Sequence, residues 1–239
     1  MGKSEIETQG QRIQEYYKIK EQTWSSSEDL GFGLYVYRDV IPQSLEVAKR
    51  LEEVILNPDT RYSYQEALVG YQTKMPEYRD CYDFKFKKSD LERDTSEESL
   101  KLQSLWQDVY DRQINALKDY SRRFNIGELR YWEAMNFIKY EKNQHFMEHH
   151  DHGYSYNCVV SMVAYPNDDY EGGELYFRLL NLKIKPRAGD LYIFPSNFMY
   201  PHQAMPVTEG TKYCIVTMTD YSDKFHKPEL PEFSRETGN

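Results

Sequence analysis

From Tyr131 onward the apolar residues of this chain recur at every second position. The runs at 134–140, 158–164, 174–177, 182–184, 191–194 and 213–219 are short and separated by Gly, Pro, Asn and Asp. A period of two sends alternate side chains to opposite faces, so this half predicts antiparallel strands of a sheet or barrel. Before that point the spacing is helical. After Pro42, residues Leu45, Val47, Ala48, Leu51, Val54 and Ile55 share one face, and Leu102, Leu105, Trp106, Val109, Ile114 and Leu117 form the apolar stripe of a long helix. Thr95 and Glu98 have capping-box spacing at its start. Leu34-Tyr35-Val36-Tyr37 reads as a strand. Helices first and strands after, with no regular alternation, argue for an α+β domain and against a doubly wound parallel sheet.

Two segments lack a clear period. Residues 1–30 are polar, include Trp24-Ser25-Ser26-Ser27, and read as an N-terminal arm. Residues 80–93 set Tyr82, Phe84 and Phe86 among charges, which suits either an edge hairpin or a flap over a substrate.

Composition narrows the function classes. A net charge of -9 would repel a phosphate backbone, so nucleic acid is not an expected partner. Three cysteines, Cys81, Cys158 and Cys214, are too few and too scattered for a disulfide framework or a thiolate zinc site, and point to a reducing compartment. No apolar run of about 18 residues is present and the start MGKSEIETQGQR has no signal-peptide centre, so the expectation is a cytoplasmic protein with no membrane partner. The 22 tyrosines suit a wet cleft that still offers apolar ring faces.

One constellation carries chemistry. Two imidazoles and one carboxylate on one side of an octahedral Fe(II) leave three positions open. His149 and Asp151, one residue apart, point to the same side of an extended chain, and His202 lies near the start of the last long strand. An H-x-D pair alone is common on solvated strand ends. Lys212, ten residues after His202, strengthens the reading, because a turn there returns the chain beside the metal and a cation would meet the far carboxylate of a chelating diacid. If Lys212 faces inward, so do Cys214, Val216 and Met218; likewise Asn136 and Ile138 share the face of Tyr140. His150 and His152 fall on the opposite face from the ligand set, and His145 and His226 read as solvated. Gly172-Gly173 reads as a turn with positive φ and no phosphate role.

Four ordered motifs then resemble one family. They are Tyr140-x-x-Asn143-Gln144-x-Phe146-x-x-His149-x-Asp151, Glu171-Gly172-Gly173-Glu174-x-x-Phe177, Pro186-x-x-Gly189-Asp190-x-x-x-Phe194 and His202-x-x-x-Pro206-Val207-x-x-Gly210-x-Lys212. Together they resemble the prolyl 4-hydroxylase branch of the 2-oxoglutarate, Fe(II)-dependent dioxygenases. The resemblance implies a double-stranded β-helix, or jelly roll, at about 131–220 with supporting N-terminal helices. The implied layout is a single dioxygenase domain at 31–225 between the arm at 1–30 and a tail at 226–239. His149, Asp151 and His202 would bind iron, Lys212 would pair with the distal carboxylate of 2-oxoglutarate, and Tyr140 would hydrogen-bond it. Dioxygen and ascorbate complete the implied cofactor set. The implied reaction is hydroxylation of a peptide or protein substrate, foremost a peptidyl proline, with release of succinate and CO2. The sequence departs from the family where Asn157, Val160 and Ala164 stand in place of an arginine, a threonine and a tyrosine around the strand after H-x-D. Hydroxylation of another residue or of a small molecule, a cupin-like non-redox metal protein, and a binding module without catalysis are the alternatives.

Overall fold

A computed structural model describes residues 11–69, 73–153, 157–224 and 226. Of the arm at 1–30, residues 1–10 lie outside the described residues, as does nearly all of the tail at 226–239. The architecture is the expected jelly roll. A large antiparallel sheet runs in the spatial order Ser27–Asp29, Tyr35–Tyr37, Leu191–Pro195, Val160–Ala164, Lys212–Asp220, Met135–Tyr140, Tyr82–Phe86 and Gln65–Glu66. A smaller sheet faces it, in the order Leu182–Ile184, Leu175–Phe177, His202–Ala204, His145–His149 and Arg79–Asp80.

The alternation that marks the strands also divides the core. Phe137, Met162, Ile193 and Ile215 face the helices Val47–Ile55 and Glu97–Phe124, packing against Leu102, Leu105, Val109, Leu117 and Tyr120. Their neighbours Ile138, Val163, Tyr192 and Cys214 face the small sheet and pack with Leu175, Phe177, Phe194 and Val207. Three layers result, helices on sheet on sheet, and the space between the sheets is where a site can form.

Several local expectations are corrected. The strand Tyr82–Phe86 is no flap: it pairs over five residues with Met135–Tyr140, from Tyr82 opposite Lys139 to Phe86 opposite Met135. Phe84 and Phe86 are buried in the core, and Phe86 stacks on Phe137 at 5.2 Å. The charges that suggested mobility sit on the other face or in the short helix Lys88–Leu91, whose Leu91 is buried. Residues 24–29, read as arm, also belong to the fold, since Ser27–Asp29 pairs with Tyr35–Tyr37 and Trp24 packs edge-on against Tyr37. His226 is not solvated; it stacks on Tyr131 at 3.8 Å and bonds Asp220 at 3.0 Å.

The long helix is capped one residue later than the Thr95 spacing implies. Ser96 Oγ accepts from the Ser99 amide at 3.2 Å, and Asp94 holds Ser96 in place by accepting from both its amide and its hydroxyl. Ser96→Ala should therefore cost about 1 kcal/mol of unfolding free energy. Thr95→Ala should cost well under half of that in the same urea titration, and a larger loss at Thr95 would return the cap to the sequence-based position.

Candidate metal and co-substrate site

The two sheets leave between them a cleft lined by residues of both. Its large-sheet wall carries Asn136, Ile138 and Tyr140 from one strand and Lys212, Cys214, Val216 and Met218 from the next, as period two requires. Its small-sheet wall carries Phe146, His149, Leu175, His202 and Ala204, with Asp151 beyond the end of the His145–His149 strand.

His149 and His202 are direct cross-strand partners, and Asp151 follows in the bend after His149. One ligand atom from each of the three residues lies within 4.8 Å of the others. His149 Nε2 is 3.6 Å from Asp151 Oδ1, and His202 Nε2 is 3.8 Å from Asp151 Oδ2. Each ring is oriented through its other nitrogen. His149 Nδ1–H donates to the Met147 carbonyl at 2.8 Å, and His202 Nδ1–H to the Tyr200 carbonyl at 3.0 Å. A carbonyl only accepts, so both Nε2 lone pairs are left facing Asp151. Burial, with His202 and Arg79 nearby, holds the His149 pKa down to about 3, so its imidazole is neutral at physiological pH. Two imidazoles and a carboxylate on one side of an open cleft form a donor set that fits Fe(II).

Sequence reasoning missed the supports of this set. Ser161 donates its hydroxyl to Asp151 Oδ2 at 2.5 Å and is bonded to Ser196 at 2.7 Å. The visible signal is a hydroxyl in the otherwise apolar strand Val160–Ala164. Phe146 stacks on His149 at 3.6 Å, and the Arg79 guanidinium covers the Phe146 ring at 4.8 Å. Ser161→Ala should leave Asp151 free to rotate and weaken divalent-metal affinity about 10-fold, the low end for such partners because both histidines stay fixed. Isothermal titration with Mn(II) measures this, and unchanged affinity would assign Ser161 to packing alone.

At the closed end of the cleft Lys212 is 1% exposed. Its Nζ donates to the Gly173 carbonyl at 2.7 Å and lies 5.0 Å from the Tyr140 ring and 5.3 Å from that of Tyr165. It forms no ion pair among the described residues, whereas the cleft's other buried cation, Arg79, is bonded to Asp83 at 3.1 Å. Burial lowers the Lys212 pKa to about 8, helped by the nearby ammonium of Lys185. An ammonium desolvated with no counter-charge is poised for an anion.

The Gly172-Gly173 turn does more than reverse the chain. Both residues have positive φ, and a Cβ on Gly173 would stand 3.0 Å from Lys212 Cδ, so only glycine lets that carbonyl cap the ammonium. Tyr140 is buried in register with Lys212, its phenol beside Cys81, and burial keeps it protonated. Ala164 and Val160 face the helices, not the cleft; the tyrosine that stands over Lys212 is Tyr165, one residue beyond Ala164. His150 is exposed and outside the set, His152 Nδ1 bonds the Cys158 backbone, and His145 bonds the Asn143 and Glu77 carbonyls. Burial pushes the Cys214 thiol up to about 12 and raises that of Cys81, which leaves both as inert packing groups.

Residues 135–219 match the family model described as the 2OG-Fe(II) oxygenase superfamily. A candidate prolyl 4-hydroxylase of Acanthamoeba polyphaga mimivirus is 33% identical over 101 residues, covering 34% of this chain and 42% of that protein. Procollagen-lysine,2-oxoglutarate 5-dioxygenase 1 of Mus musculus is 31% identical over 87 residues, covering 35% of this chain and 12% of that protein. The chain thus spans less than half the length of these relatives. Among solved structures, a prolyl hydroxylase from Trichoplax adhaerens, in complex with a hypoxia inducible factor oxygen degradation domain peptide fragment, superposes with a TM-score of 0.61. It is 13% identical, covering 96% of this chain and 98% of that one. A Pseudomonas putida prolyl-4-hydroxylase gives a TM-score of 0.58 at 18% identity, covering 79% of this chain and 92% of that one. At these identities the structures establish the shared fold.

Proposed function

We infer that this chain, whose residues 135–219 resemble the prolyl 4-hydroxylase-like 2-oxoglutarate/Fe(II) dioxygenases, hydroxylates a peptidyl substrate and releases succinate and CO2. The observation that carries the reading is the pairing, in one cleft, of a three-residue ligand set with a buried ammonium that lacks a counter-charge. A cupin-like metal protein has no use for that ammonium.

His149, Asp151 and His202 would hold the iron, with Ser161 fixing the carboxylate. Lys212 would bind the distal carboxylate of 2-oxoglutarate, with Gly173 orienting the ammonium and the Tyr140 phenol donating a hydrogen bond. Leu175, Ile138 and Val163, which line the cleft, would exclude water around the diacid's carbon chain and strengthen the charge pair behind it. Bound iron supplies the redox chemistry, coupling reduction of dioxygen and decarboxylation of 2-oxoglutarate to hydroxylation of a substrate C–H bond. The chain contributes placement, protonation state and dryness.

A proline side chain is favoured as target by the likeness to the viral prolyl 4-hydroxylase candidate. The likeness to the procollagen-lysine dioxygenase supports a lysine side chain as the second reading. The test is succinate release with Fe(II), 2-oxoglutarate and ascorbate in the presence of peptide pools containing proline or lysine, followed by mass spectrometry for a gain of one oxygen. Peptide-dependent succinate with proline-centred oxidation supports the first reading, and lysine-centred oxidation supports the second. No 2-oxoglutarate turnover with any pool would overturn the enzymatic reading.

A further inference from the structure

At the end of the cleft away from Lys212 the large-sheet wall carries an amide whose oxygen has no partner among the described residues. Asn136 stands in one cross-strand row with Lys85 and Val216, four residues along its strand from Tyr140. At about 3.3 Å per residue it is roughly 13 Å from the row of Tyr140 and Lys212. The residue is 7% exposed, it lines the cleft, and its Oδ1 is buried without a hydrogen-bond partner among the described residues. Its nearest cleft-facing companions along the two strands are Ile138, Val216 and Met218, which offer no polar group. A leucine or methionine would fill the position without desolvating an amide, so the position carries a standing cost in the free protein. Such a cost is recovered when a ligand supplies the missing partner.

The chemistry of the group selects the ligand. A carboxamide presents one acceptor oxygen and one NH2 donor side by side. A carboxylate would satisfy only the donor and an ammonium only the acceptor, while a peptide unit offers a carbonyl and a neighbouring N–H together. The mouth beside it is flanked by Lys85 and Glu133, one charge of each sign, which gives no preference for an ionised ligand. Building on the hydroxylase reading above, we propose that Asn136 is a specificity-determining residue that pairs with a backbone peptide group of the substrate. The cleft thereby distinguishes a residue within a chain from the free amino acid.

The test compares wild type with Asn136→Leu and Asn136→Ala, each full-length, loaded with Mn(II) and 2-oxoglutarate. Short N-acetylated, C-amidated peptides centred on proline or lysine serve as the probe, with capture read by mass spectrometry and 2-oxoglutarate affinity by calorimetry. Wild type should enrich a subset of the pool, and both variants should lose that enrichment at least 10-fold with 2-oxoglutarate affinity within about 2-fold of wild type. In the ligand-free state Asn136→Leu should raise the melting temperature by about 2–4 °C, the shift expected when an unpaired polar group of ordinary cost is removed from a chain this size. Equal capture by variants and wild type would overturn the proposal while leaving the hydroxylase reading intact. A 10-fold loss of 2-oxoglutarate affinity would overturn it too, by assigning Asn136 to the co-substrate. A fall in melting temperature in Asn136→Leu would show that the amide is a structural partner. Capture of no peptide by wild type, with 2-oxoglutarate turnover on a free amino acid, would overturn this proposal and the peptidyl reading together but not the chemistry.

Discussion

Asp151→Ala should give a folded protein whose 2-oxoglutarate-dependent succinate release is lower by about a thousandfold or more. Asp151 supplies the only negative charge of the ligand set, and its side chain is 4% exposed, so no solvent-borne carboxylate replaces it. Outer partners of metal ligands typically account for 10- to 100-fold in affinity, and loss of a charged ligand exceeds that. The two remaining imidazoles keep their orientation through Met147 and Tyr200, so the fold of the wall is undisturbed and the loss is specific to the metal. Anaerobic Fe(II) titration and succinate release should fall together, while the melting temperature of the metal-free protein stays within a few degrees. His150→Ala, which alters an exposed residue outside the set, should retain most of the activity. Wild-type turnover in Asp151→Ala would remove the three-ligand reading.

Lys212→Met should weaken 2-oxoglutarate binding by about 10- to 100-fold, the range of a charge-assisted pair in a partly dry pocket. Metal affinity should change far less, because Lys212 lies at the other end of the diacid. The pH dependence provides a second signature. Lys212 has a pKa near 8 in the folded protein against the ordinary 10.5. The folded state therefore releases this proton before the unfolded chain does. In the metal-free, ligand-free protein the cost of burying the ammonium is full below pH 8 and is relieved as pH rises from 8 towards 10.5. Wild type should gain stability over that window relative to Lys212→Met. Affinity for 2-oxoglutarate should run the other way, falling above about pH 8 because a neutral amine no longer attracts a carboxylate. Identical pH profiles for the two proteins would move the anion anchor elsewhere, and Arg79 would be the next cation to replace.

Strand period two makes the antiparallel strands readable because it depends on local alternation, whereas the jelly roll follows from the four motifs that resemble the family, and the spacing of His149, Asp151, His202 and Lys212 makes the cleft readable. The choice between hairpin and flap for 80–93 is not legible locally, because charge density there outweighs the three-residue alternation of Tyr82, Phe84 and Phe86, and only pairing with Met135–Tyr140 decides for the sheet. Tyr165 is hard to read for a similar reason: the family's motif places Ala164 where its tyrosine stands, and the one-residue offset that puts Tyr165 in the cleft belongs to the three-dimensional register. Ser161 and Arg79 act through residues distant in sequence, so no spacing rule points to them.

The order of strands in the large sheet bears on how the chain is made. Tyr35–Tyr37 pairs early with Ser27–Asp29, but on its other side it finds Leu191–Pro195 only more than half the chain later, and Tyr82–Phe86 pairs early with Gln65–Glu66 but waits for Met135–Tyr140. During synthesis these strands leave the ribosome with an apolar face and one open backbone edge each, and that of Tyr35–Tyr37 stays open until the last third of the chain arrives. Such topology makes folding slow and exposes the nascent chain to aggregation. Because those early strands close both flanks of the sheet, a fragment limited to 135–219 would present two bare edges, and recombinant production should favour the whole chain at low temperature or with a holdase present.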